Sequence, residues 1–119
     1  MNGAFNVAFG YNALRNVTNH AFNTSVGSNS LATLDGSTNS AFGYNAGSSL
    51  ASGSYNVIIG GYTGAGAPMN GSSTNTIVIS DGQGNVRLWI DSTGAIFAAS
   101  QVVRASYTCL LYTSPSPRD

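Results

Sequence analysis

The sequence predicts an all-β chain: a repetitive β-roll or β-solenoid followed by a short β-meander. Three observations carry that expectation. An Asn-x-x-x-Gly unit recurs four times, at steps of 17, 16 and 17 residues. Gly, Ser, Asn and Thr, all poor helix formers, are abundant, while charged residues make up only 7 % of the chain. Towards the end, alternating apolar runs are separated by Gly-, Asn- and Asp-rich turn signals.

The four units are Asn6-Val7-Ala8-Phe9-Gly10, Asn23-Thr24-Ser25-Val26-Gly27, Asn39-Ser40-Ala41-Phe42-Gly43 and Asn56-Val57-Ile58-Ile59-Gly60. A further segment, Asn75-Thr76-Ile77-Val78-Ile79, begins in the same way but lacks the Gly. The likeness runs past the Gly, into Tyr11-Asn12-Ala13-Leu14, Ser28-Asn29-Ser30-Leu31 and Tyr44-Asn45-Ala46-Gly47. Self-similarity at a fixed period marks an array in which each coil packs on the next.

Within a unit the fourth position is always apolar: Phe9, Val26, Phe42, Ile59. It is expected to be the inward side chain of a short strand. Asn6, Asn23, Asn39 and Asn56 are expected to cap turns through their own backbone, since Asn also tolerates the left-handed region. Gly10, Gly27, Gly43 and Gly60 allow a bend or the close approach of the neighbouring coil. A second short strand around Asn12-Ala13-Leu14 and its equivalents would return the chain. One inward residue per strand makes a thin core, so lateral association is expected, most simply as a homotrimer about a threefold axis.

The repeats are assigned to residues 1–64 and a Gly-rich linker to residues 65–76. The meander takes residues 77–108, from three apolar runs that start at Ile77, Val86 and Ala95.

Composition excludes several function classes. Four Arg balance four Asp, with no Lys and no Glu, so no basic run could neutralise a phosphate backbone and no nucleic-acid partner is expected. No apolar stretch approaches the length of a membrane span, so no membrane insertion is expected.

No catalytic, cofactor-binding or metal-ligating residue is assigned. Asp81-Gly82-Gln83-Gly84-Asn85 lacks the terminal Glu of a calcium loop and reads as a hairpin turn. Gly61-Tyr62-Thr63-Gly64-Ala65-Gly66 has neither a Lys nor a following helix to cradle a phosphate. His20 is the only histidine and reads as a spacer residue in a turn. Asp35, Asp81 and Asp91 sit beside Gly or Ser in expected turns, where Asp is favoured for its own reasons. Tyr11, Tyr44 and Tyr62 are candidates for exposure, with packing between coils or subunits the expected role.

The run Asn6-Val7-Ala8-Phe9-Gly10-Tyr11-Asn12-Ala13-Leu14 resembles the repeats of bacteriophage tail fibre and tailspike proteins. It is also similar to the head repeats of trimeric autotransporter adhesins. The segment from Ile77 to Arg87, with Ile90-Asp91-Ser92-Thr93-Gly94 after it, resembles the stretch downstream of such repeats in phage tail fibres. The resemblance implies a left-handed parallel, trimeric β-roll in the tail of a virion, serving as the shaft or head that presents a host-receptor-binding region. Contact with a host cell-surface glycan or protein would then lie outside this fragment. The alternatives are a bacterial cell-surface autotransporter head and, of another class, a tailspike polysaccharide depolymerase. Residues 109–119 resemble the translation of a transposase-type sequencing adapter. That resemblance implies a meander truncated by Thr108 and removes Cys109 from any thiol argument.

Overall fold

The computed structural model describes residues 4–99 of the 119. Expectations for residues 100–119, the end of the meander and the adapter-like tail, lie outside the described residues. The fold is an all-β solenoid. Its strands are β1 (Val7–Phe9), β2 (Thr24–Val26), β3 (Ser40–Phe42), β4 (Val57–Ile59), β5 (Ile77–Ser80), β6 (Val86–Ile90) and β7 (Ile96–Ala98). They form one sheet of 7 strands in sequence order. β1 to β5 are parallel, one strand per coil, and β5-β6-β7 continue as antiparallel hairpins.

Each repeat unit contributes one strand to this sheet, and the Gly that closes the unit is required for the stacking. A Cβ on Gly10 would stand 2.6 Å from the Gly27 carbonyl oxygen, and its φ of +135° is itself unfavourable to other residues. The Gly10–Gly27–Gly43–Gly60 column thus does both things expected of it, bending the chain and admitting the next coil. The return path is a series of turns with no second strand. Its amides donate to the next coil, as Leu14 does to Ser30 O and Leu31 to Ala46 O.

Two expectations are corrected here. From β2 to β4 the inward residue is the third of the unit, not the fourth. In β5 the register Ile58↔Val78 puts Thr76, not Asn75, in the asparagine's place, which makes Val78 the inward residue. Ser25, Ala41, Ile58 and Val78 are buried, whereas Phe9 is 75 % and Phe42 43 % exposed, with Ile59 exposed and Val26 only half-buried. Alternation puts positions two and four together on the outer face, so both flank the inward residue. The core is also thicker than one residue per strand. Leu14, Val17, Leu31, Leu34, Leu50, Tyr62 and Met69 enter it from the turns.

These turn-side residues compensate for the strands. Where the turn supplies Leu14 or Leu31, the strand of the same coil supplies only Ala8 or Ser25. Gly47 replaces that leucine in the third coil, and a Cβ there would meet Leu31 Cδ2 at 2.6 Å and Ile58 Cδ1 at 3.1 Å. Leu31 and Ile58, from the coils on either side, thus fill the space that Ala41 and Gly47 leave, which keeps the interior packed.

Residues 65–76, expected as a linker, carry the fourth coil round to β5. Ala51 and Ser52 both donate to Gly71 O, Val57 donates to Thr76 O, and Met69 is buried. Tyr62 is buried rather than exposed, because this coil reaches the turn one residue early. Gly47 N donates to Tyr62 O, the place that Ser30 and Ala46 hold in earlier coils. The Tyr62 hydroxyl donates to Gly66 O at 2.6 Å and accepts from Met69 N at 3.0 Å. Its burial raises its pKa above the usual tyrosine value.

Candidate interaction surface

The asparagines of the repeat do not cap their own turns; they join coil to coil. Asn6 Oδ1 accepts from Asn23 N and Nδ2, Asn23 Oδ1 from Asn39, and Asn39 Oδ1 from Asn56, all at 2.9–3.2 Å. Each Nδ2 then donates to a carbonyl three residues before the next rung: His20, Gly36, Gly53 and Ser73 in turn. Asn23, Asn39 and Asn56 are fully buried, so these bonds satisfy groups that water cannot reach. Thr76 N closes the ladder on Asn56 Oδ1.

A left-handed residue stands immediately before each rung, Thr76 included. Phe5, Phe22, Thr38, Tyr55 and Asn75 have φ between 57° and 64°. From Phe22 onward each donates its N–H to the carbonyl of the previous coil, namely Ala4, Ala21, Ser37 and Ser54. The conformation costs about 1–2 kcal/mol in a residue with a Cβ, so the inter-coil bond must hold it. Phe5 and Phe22 stack with ring centroids 5.4 Å apart, while the Tyr55 ring is exposed.

The outer face of the sheet carries two rows in register. One is Val7, Thr24, Ser40, Val57, Ile77, Ile90 and Ile96. The other is Phe9, Val26, Phe42, Ile59, Ile79, Leu88 and Ala98. Neither contains an ionisable residue, and the rows run unbroken from the parallel coils into the hairpins. Val7, Phe9, Phe42, Ile59, Ile77, Ile79 and Ile96 are exposed. The fourth-position residues Phe9, Val26, Phe42 and Ile59 therefore belong to this surface. Sequence reasoning missed Leu14, Leu31, Val17, Leu34 and Leu50 as the real core. Their own recurrence, Leu14–Leu31 and Val17–Leu34–Leu50, follows the period of the asparagines and could have marked them.

The carboxylates are engaged locally. Asp81 Oδ1 accepts from Gln83 N and Asn85 N, while Arg87 reaches Oδ2 at 2.6 Å. The Asn85 side chain and backbone, then Arg87, hold its carboxyl well below the usual range. The Thr93 hydroxyl, with backbone N–H groups of the same turn, lowers Asp91 in the same direction. Asp81-Gly82-Gln83-Gly84-Asn85 is thus a hairpin turn between β5 and β6. Asp35 lies 2.7 Å from Nδ1 of His20, an ion-pair distance without hydrogen-bond alignment. Among the described residues no three His, Cys, Asp or Glu gather as a metal site, and no helix is long and apolar enough to cross a membrane.

Tyr11 and Tyr44 are exposed, one residue beyond the Gly10 and Gly43 bends. No protein-family model, curated protein or solved structure matches the chain, so its functional reading rests on this geometry and on the resemblance of its repeats.

Proposed function

We propose that this chain is a structural segment of a fibrous adhesion protein of the phage tail fibre type. In this reading it forms a homotrimeric shaft or head that presents a host-receptor-binding region, and it works in the virion as a rod with no catalytic role. The observation that carries the proposal is the uncovered apolar outer face of the sheet. Parallel sheets are ordinarily covered on both faces, and contiguous exposed apolar surface beyond a few hundred Å² marks an interaction site. Here the turn-side leucines close the inner face of the parallel coils, while the outer face carries exposed apolar side chains from β1 to β7. Identical rods aligned in register would cover it, and the threefold arrangement follows from the resemblance to trimeric fibres.

Cross-linking tests the proposal. The full chain carrying Ser40→Cys and Phe42→Cys, with Cys109→Ser, places thiols on the outer face of β3. Oxidation should give a covalent species of three chains. Single chains alone, from a folded sample, would refute the shared face.

A further inference from the structure

We infer that Tyr11, Ser28 and Tyr44 form a binding row for an extended neutral glycan lying along the rod. The three residues hold equivalent places in successive coils, fixed by Asn29 N donating to Tyr11 O at 2.7 Å and Asn45 N to Ser28 O at 2.9 Å. Tyr11 is 75 % and Tyr44 63 % exposed. At about 4.8 Å per strand, their backbones stand roughly 9.5 Å apart. Alternate rings of an extended β-1,4-linked hexopyranose chain present the same face at a repeat of that size. A Tyr ring can take the C–H face of a sugar, and its hydroxyl stays available for hydrogen bonding.

The surroundings suit hydroxyl groups. Beside the row runs the column Asn12, Asn29 and Asn45, in which Asn12 Nδ2 donates to Asn29 Oδ1 at 3.2 Å. Asn29 Nδ2 and the Asn45 carboxamide have no protein partner among the described residues. Ser28, between the two tyrosines, leaves room for the intervening ring. Single-stranded nucleic acid also stacks on aromatic rows, but it needs a basic groove. The only Arg residues in the described part are Arg15 and Arg87, and Arg87 is held by Asp81. A Pro-rich peptide docks between closely set aromatic walls, whereas here a coil separates the two rings.

Calorimetric titration of the full chain with neutral β-1,4-linked gluco-oligosaccharides of two to six rings tests the assignment. Binding should require at least three rings, because two cannot reach both tyrosines. Tyr44→Ala should weaken it about tenfold, the size of one lost aromatic contact, and Tyr44→Phe should keep most of it. Circular dichroism should be unchanged in both variants. Absence of saturable binding by the six-ring sugar to folded protein would overturn the proposal. So would binding of a Pro-rich peptide in its place, or a Tyr44→Ala variant whose only defect is a change in solution mass. The mass measurement also separates this result from the homotrimer reading, on which it does not depend.

Discussion

The parallel coils and the antiparallel hairpins share one sheet but are held in different ways. In the coils, the decisive bonds join residues 16 or 17 apart, through the buried carboxamides of Asn23, Asn39 and Asn56. In the hairpins they join residues 2 to 6 apart, through half-buried Asp81 and Asp91 at the surface. The interior differs too. Leu14, Leu31, Leu34 and Leu50 fill the coils, whereas β6 and β7 depend on Trp89 stacked on Phe97 at 5.0 Å. A coil is therefore stable only through its neighbours, while a hairpin turn carries its own local bonds. The outer apolar face crosses the junction unchanged, so association would treat the two regions as one surface.

The sharpest way to break this contrast is Asn39→Ala. It removes a rung bonded in both directions and leaves the Asn56 backbone N–H, one of its two carboxamide hydrogens and Gly53 O without their partner. At about 1–3 kcal/mol for each such group, the loss should be roughly 3–5 kcal/mol, seen as a lower denaturation midpoint for the whole stack. A loss confined to the third coil, read by hydrogen exchange, would contradict the coupling of coils.

Tyr55→Asn should act in the other direction. Tyr55 spends left-handed strain on an exposed ring, whereas Asn75 holds the same position in the next coil at little cost. The variant should gain about 1 kcal/mol in chemical denaturation. Phe22→Asn should gain less, because the stack on Phe5 is lost.

The smallest effect belongs to the hairpin. Asp81 has its folded pKa below the ordinary value near 3.8, so its carboxylate stabilises the turn above that pH. The contribution falls away as pH drops below 4 towards the folded pKa. Acid titration followed at the Asn85 amide should show local fraying of β5–β6, and Asp81→Asn should abolish that dependence while the coils persist.

Much of this fold was legible in the sequence. The period, the Gly column and the hairpin turns come from residue types whose backbone demands are local. The phase of the strands was not legible. Alternation says that neighbours point to opposite sides, but not which side is inside. Val26 looks like core beside Ser25, and Phe42 beside Ala41. Ser25 and Ala41 face inward because turn-side leucines already fill the space from the opposite wall. The asparagine ladder was hidden for a similar reason, since its partners lie a full coil away. The interaction surface was legible only as a need for a partner, and its residues were read as core.

The outer face is the centre of this account, and solution mass tests it most directly. Sedimentation equilibrium of the full chain should give three times the 12.1 kDa chain mass, and Phe42→Asp should reduce it to a single chain. A folded, cooperatively melting monomer of the unmodified chain would contradict the account.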